Sequence, residues 1–484
     1  MRFRHRLSFL ILAATLACPP GVAADLPELG DVASGELSVQ AEKKVGQQIM
    51  HEIRRQELSY LDDPDIESYL NQLGGRLSAY SADPGYGFYF FGINDLSINA
   101  FAMPGGYIGV HTGLILAAQG ESELAGVLAH EISHVTQRHL ARQLFQSKRI
   151  GMASMLAMGL ALLAASSNPQ AAGAAIATSQ AGAMSSQLAF SRDFERESDR
   201  MGFEMLNKAG FDPRGMALFF ERLQQTTRLY ENNAGAYLQT HPLTSERIGD
   251  MQNRDQFLPY RQVPDSLDFL LVKARLRAMQ GRADEAVRQF ADLLAERKFQ
   301  SEAATRYGYA LALSRAQQWE AAWREIEAVR ALRQSSGLIE HLAADIRIGM
   351  GDAKRGLQIY REAMLRYPLD RSLVYGLGAA LVGSGQFADA LRFAESQLRG
   401  APGDVRLHRL RAQSHAGMGH RAMQHAALAE TFALQGDTAG ALNQLDWAQK
   451  AGDANFYESS AIEARVRELK LRHLDELKAR GNSG

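Results

Sequence analysis

Along most of this chain apolar residues recur every third or fourth position, the spacing of helices with one buried face. SVQAEKKVGQQIMHEIRRQ (38–56) predicts one helix. DPDIESYLNQLGGRLSAYS predicts a second, with Asp63 as N-cap and Pro64 in the first turn. The pattern then changes. YGFYFFGI (86–93) is rich in aromatics and reads as a strand, and SINAFAMPGGYIGVHTGLI (97–115) reads as a hairpin turning at Pro104-Gly105-Gly106. Helical spacing returns from about Glu121 to Arg142, over Ser191–Gly210 and over Met216–Tyr230, and AYLQTHPLTSERIGDM breaks at His241-Pro242. Between them, residues 151–189 are dominated by Ala, Gly, Met and Ser, and each apolar half is too short to span a bilayer. This segment reads either as a helical hairpin packed on the domain or as a flap that touches a membrane surface or varied partners. The polar stretch LPYRQVPDS marks a domain boundary.

Beyond Asp265 the pattern is helical only, and it repeats. GRADEA, QQWEAA, GDAKRG and GQFADA end at Ala286, Ala322, Gly356 and Ala390, which are 36, 34 and 34 residues apart. That period, with a small residue in the second helix, matches tetratricopeptide repeats, whose stacked helix pairs form a concave superhelix that binds peptides or proteins. A later copy, GDTAGA, ends at Ala441, and its offset of 51 residues predicts one extra helix. The expected fold class is α+β: a mostly helical domain with a small β-sheet over 25–262, then an all-α repeat superhelix over 263–484.

With 484 residues, 46% hydrophobic and 22% charged, the chain has material for two or three packed domains. A net charge of -1 gives no general attraction to nucleic acid. The N-terminus adds a destination. MRFRHR is a basic flank, Leu7–Ala17 is a short apolar run, and PPGVAAD offers cleavage after Ala24, so residues 1–24 read as an export signal. Its removal takes away Arg2, Arg4 and Arg6 and no acid, leaving a net charge of -4. The sole cysteine, Cys18, lies inside this signal. A lipidated Cys18 fits poorly, because Thr15 stands where leucine is usual and Pro19 follows directly. The processed chain would carry no disulfide, although its compartment would permit one.

The candidate chemistry lies in VLAHEISHVTQRH (127–139). On a helix, His130 and His134 share a face and can both point at one ion, while Glu131 lies about 100° round, able to act on a water without ligating the metal. Zinc needs a third protein ligand. DFERESDR supplies Glu195, with Asp199 one turn on as acceptor for a ligand histidine's remaining N–H. Glu197 ranks second. One Zn²⁺ per chain is expected, with Glu131 as general base. His139, His111, His341 and the cluster from His408 to His425 read as structural or surface residues.

HEISH, the E-x-x-x-D of Glu195–Asp199, HPLTSER (241–247) and NAFAMPGGYIGVHTGL together resemble the HtpX-like zinc metallopeptidases, and with export and the repeats they resemble that family's periplasmic β-barrel assembly-enhancing type. The resemblance implies a gluzincin-like catalytic domain in the periplasm. Its implied partners are unfolded or stalled outer-membrane β-barrel proteins, and the β-barrel assembly machinery reached through the repeats. It places HPLTSER near the site, so that His241 or Arg247 would supply an oxyanion donor, or His241 would plug the open zinc position. Asn99 and Ala100, with Phe101, are expected on a strand that an extended substrate joins. A chaperone or scaffold with a latent metal site remains the alternative.

Overall fold

The computed structural model describes residues 38–56, 59–146, 192–229, 235–256, 258–259 and 261–481. The export signal with Cys18, and the Ala/Met segment 151–189, lie outside the described residues.

A four-stranded sheet runs in the order β1 (Tyr60–Leu61), β2 (Tyr89–Ile93), β4 (Tyr107–His111), β3 (Ala100–Met103). β2 and β4 are parallel, and β3 pairs antiparallel with β4 at one edge. Side chains alternate across this sheet. Phe91, Ile93, Phe101 and Met103 meet Val45, Ile49 and Ile53 of α1 (Val39–Gln56). Phe90, Ala100, Ile108 and Val110 face Leu70 and Leu73 of α2 (Pro64–Ser78), and Leu124 and Leu128 of α4 (Glu121–Thr136).

Two expected elements differ. The hairpin's second strand ends at His111, and Thr112–Ala117 forms a short helix, α3, because Thr112 Oγ1 and the Gly113 N–H both donate to the Asp95 carbonyl and draw the chain off the sheet. The single helix expected over Glu121–Arg142 is broken. α4 stops at Thr136, Arg138 takes a left-handed φ of 52°, and α5 (His139–Gln146) starts in a new direction. Nothing in the residue types marks this break, since arginine pays for φ > 0 where glycine would not. The guanidinium of Arg138 is held from α1 by Glu42 Oε1, 3.1 Å from Nε and 2.7 Å from Nη2.

Four more helices follow among the described residues of the N-terminal part: α6 (Arg192–Lys208), α7 (Arg214–Leu229), and the pair α8 (Gly235–Thr240) and α9 (Ser245–Asp255) around His241-Pro242. Twelve helices follow, from α10 (Leu267–Met279) to α21 (Phe456–Gly481). The repeat's small residue is a packing requirement: a Cβ on Gly356 would meet Ile348 Cγ1 at 2.6 Å and the Ala344 carbonyl at 2.9 Å. Between the GQFADA and GDTAGA turns stand two helices, Val405–Gly417 and Arg421–Leu434, one more than a regular period holds.

The repeat helices are seated on the N-terminal part through buried polar contacts. Arg275 of α10 pairs with Asp63 (2.9 Å) and Asp65 (3.1 Å) at the start of α2, and His341 Nδ1 lies 2.7 Å from Asp65 Oδ1. Ser266 Oγ donates to Glu121 Oε1 at 2.7 Å, and Tyr69 donates to the same oxygen at 3.0 Å. Acidic groups at the N-termini of α2 and α4 thus meet cations and hydroxyls from α10 and the repeats, which suits the positive end of each helix dipole. Among the described residues no helix is long and apolar enough to cross a membrane.

Candidate metal centre

α4 brings His130 and His134 together, with their Nε2 atoms 3.0 Å apart. α6 crosses α4 at close range because residue 202 is glycine: a Cβ there would meet His130 N at 3.1 Å and Ala129 C at 3.2 Å. One face of α6 therefore presents Glu195 and Asp199 to the two histidines. Glu195 Oε2 lies 3.4 Å from His130 Nε2, and its Oε1 lies 3.4 Å from His134 Nε2. Asp199 Oδ1 stands 3.1 Å from His130 Nδ1, behind the ring. From the C-terminal end of α8, His241 Nδ1 reaches Glu195 Oε1 at 3.0 Å and His130 Nε2 at 3.3 Å, and its Nε2 lies 3.5 Å from Glu131 Oε1.

Donor atoms of His130, His134, Glu195 and His241 all lie within 4.8 Å of one another, and all four residues are buried. The electrostatics reflect that crowding. Burial alone would depress His130, but the Asp199 and Glu195 carboxylates outweigh it and raise it to about 9. At His134 burial wins and pushes the ring well below the usual range. Burial would raise Glu195, but His241, His130 and His134 hold it well below the ordinary carboxylate value. Burial pushes Glu131 up. Both Glu131 oxygens are buried without a hydrogen-bond partner among the described residues. Convergent imidazole nitrogens and one carboxylate, beside a carboxylate left unsatisfied, fit a divalent cation with nitrogen and oxygen ligands and a neighbouring water.

Comparison with known proteins agrees. Residues 61–255 match peptidase family M48, and residues 347–414 match a tetratricopeptide repeat. A β-barrel assembly-enhancing protease of Escherichia coli K12 is 31% identical over 474 residues, covering 96% of this chain and 96% of that one. This chain belongs to the β-barrel assembly-enhancing protease family. A second relative of that name, from Yersinia pestis, is 31% identical and covers 92% of this chain and 91% of its own. A mitochondrial metalloendopeptidase of Schizosaccharomyces pombe is 28% identical over 47% of this chain and 64% of its own. The chain is thus a metalloprotease, and its buried group of three histidines and a glutamate fits the metal site.

Around that site the chain places the other expected residues unevenly. Arg247, the last residue of the HPLTSER stretch and one of the two expected near the oxyanion, stands behind the ligand group. Its Nε and Nη2 clasp Asp199 at 2.6 and 2.8 Å, and its Nη1 lies 2.7 Å from Glu195 Oε2 and 2.8 Å from the Pro242 carbonyl. The guanidinium is engaged on four sides, so the geometry assigns it to holding carboxylates rather than to meeting substrate. Tyr237, which sequence reasoning passed over, stacks on His241 with centroids 4.8 Å apart, and its hydroxyl is buried without a partner among the described residues.

At the β3 edge, the Asn99 carbonyl accepts from His111 N at 3.0 Å, so its backbone faces β4. Antiparallel alternation then turns the N–H and C=O of Ala100 and Ala102 toward the outer edge of the described sheet, where the Ala102 backbone also faces Glu131. Of the expected substrate-strand residues, Ala100 has its backbone on that edge, while Asn99 has a buried side-chain oxygen without a partner among the described residues. Ala102 joins the edge without having been singled out from the sequence.

His139 differs most from expectation. Continued along one helix it would point away from His134. The break at Arg138 instead sets its Nδ1 2.9 Å from His134 Nδ1, with the ring fully buried. Burial lowers His139 to about 4, so the ring is neutral. Its Nε2 lies 3.1 Å from Glu197 Oε2, which Arg142 Nη1 also meets at 3.0 Å. Glu197, the second-ranked ligand, is therefore turned toward His139 and Arg142.

Proposed function

We propose that this chain is a zinc-dependent endopeptidase exported to the periplasm, where it cuts unfolded or stalled outer-membrane β-barrel proteins, and that its repeat helices engage those substrates or the assembly machinery. The observation that carries the reading is the buried donor group of His130, His134, Glu195 and His241 beside Glu131 and the β3 edge of the described sheet. The names of the two bacterial relatives support the substrate class.

His130, His134 and Glu195 would hold one zinc ion, with Asp199 orienting His130 and Arg247 fixing both carboxylates. An ion held there would supply Lewis-acid chemistry, polarising a scissile carbonyl and acidifying a water. An extended peptide pairs with the outward backbone of Ala100 and Ala102, which reads strand shape rather than sequence. Glu131, its proton affinity raised by burial, takes the proton from the water and hands it to the leaving amine. Tyr237 Oη is the unengaged donor for the charge that develops on the carbonyl oxygen. His241, placed inside the ligand group, blocks the position the reaction needs and has to move aside for substrate.

That placement of His241 also favours the second reading, a chaperone whose metal site is latent. Glu131→Gln separates the two. The variant is expected to keep its metal and lose casein cleavage by about 10²–10⁴-fold. Cleavage at the wild-type rate would reject the catalytic reading, and retained support of barrel assembly by the inactive variant would favour a separate chaperone role.

A further inference from the structure

Each of the two HEISH histidines turns one ring nitrogen toward the donor group and the other into the protein. For His130 the inward nitrogen meets Asp199, which Arg247 clasps. For His134 the inward nitrogen meets a second imidazole. We infer that His139 is a positioning residue that fixes the tautomer and orientation of His134 through a directed chain, His134–His139–Glu197–Arg142. The inference rests on the reading of His134 as a metal ligand.

The direction follows from donors and acceptors. The Glu197 carboxylate only accepts, so His139 Nε2, 3.1 Å away, carries the hydrogen. With His134 read as a ligand through Nε2, its one hydrogen lies on Nδ1, so His139 Nδ1 offers the lone pair. His134 Nδ1, 2.9 Å from it, must then be the donor, and the lone pair of His134 lies on Nε2, the atom 3.4 Å from Glu195 Oε1. Ser198 Oγ, 3.3 Å from His139 Nδ1, can donate to the same lone pair without reversing the chain.

The ring is held from outside the chain as well. It stacks on Phe194 with centroids 4.4 Å apart and planes at 10°, and Arg142 lies over the same Phe194 ring at 4.6 Å while pairing with Glu197. Phe194, Glu197 and Ser198 all belong to α6, so the helix that carries Glu195 and Asp199 also supports this relay. Each ligand histidine thus ends on an arginine-anchored carboxylate, directly for His130 and through one intervening ring for His134.

Metal affinity of the full chain, measured by competition between zinc and a chromogenic chelator, tests this without relying on activity. His139→Phe keeps a ring on Phe194 and removes the acceptor, and it is expected to weaken zinc binding about 10–100-fold. His139→Asn returns an oxygen acceptor near the Nδ1 position and is expected to recover most of that loss. A merely structural role predicts the reverse order, with phenylalanine the better tolerated, and that order would overturn the proposal. Should the His139 variants fold poorly by circular dichroism, Glu197→Ala, at a half-buried site, is expected to weaken binding in the same sense, and wild-type affinity in that variant would count against the chain. Nitrogen-15 spectra of the zinc-loaded wild type supply the signature: His134 protonated at Nδ1 supports the relay, and His134 ligating through Nδ1 refutes it. A wild type that binds no zinc would instead refute the metal reading itself, and the relay with it.

Discussion

Removing the guanidinium of Arg247 should destabilise the catalytic part far more than a typical arginine substitution. Glu195 and Asp199 are 1% and 2% exposed, and Arg247 is the cation that clasps both, at 2.7 Å on Glu195 and at 2.6 and 2.8 Å on Asp199. Breaking a buried ion pair by deleting one partner costs about 3–5 kcal/mol, because the remaining charge has lost its water and gained nothing. Arg247→Met is therefore expected to lose about that amount in the presence of a chelator. A bound cation would compensate Glu195 but not Asp199, and at a hundredfold excess over its dissociation constant it adds about 2.7 kcal/mol to the folded state. The loss should accordingly shrink, without vanishing, when zinc is supplied. Urea unfolding followed by circular dichroism measures both conditions. All three tryptophans, Trp319, Trp323 and Trp447, lie in the repeat helices, so fluorescence tracks those helices separately. Arg247→Lys keeps the charge and loses the two-pronged geometry, and should fall between wild type and Arg247→Met. A loss below about 1 kcal/mol for Arg247→Met with chelator present would refute the reasoning, since a dispensable surface pair costs no more than that.

His241→Ala should raise casein cleavage, because the ring occupies the ligand group in the substrate-free protein, and a fall in cleavage would make it a helper of catalysis instead. Ala100→Pro removes an outward N–H at the edge strand without costing a ladder bond, and should raise KM for unfolded substrate more than it lowers kcat; unchanged kinetics would remove that edge from the substrate path. The seat of the repeats on α2 should weaken in alkali. Burial would lower His341, but Asp65 outweighs it and raises the ring from 6.5 to about 9, so its contribution is complete below pH 6.5 and lost as pH rises through 9. That shift is worth on the order of 3 kcal/mol. Stability read by tryptophan fluorescence should decline across this window in wild type and stay flat in His341→Leu, and equal slopes would contradict the assignment.

Much of this architecture is legible in the residues. The helical spacing, the alternation in β2 and β4, and the repeat period depend on local chemistry that a sequence displays directly. The spacing of His130, His134, Glu195 and Asp199 also anticipates which side chains share a face, and the structure brings those four together. What stayed hidden depends on contacts between distant segments. The break falls at Arg138, whose guanidinium meets Glu42 of α1 almost a hundred residues away, and it turns His139 onto His134. Gly202 lets α6 approach α4, yet in the sequence it is one unmarked glycine inside a helix. The outward direction of Ala100 and Ala102 needs the register with β4, which residue types do not encode. Arg247 was expected as an oxyanion donor because its two carboxylate partners lie some fifty positions earlier in the chain.

Metal content tests the zinc site most directly. Zinc measured by mass spectrometry in the purified wild type, beside Glu195→Gln dialysed identically, should give about one ion per chain in the wild type and almost none in the variant. Full retention by Glu195→Gln, or a wild type that takes up no zinc, would contradict it.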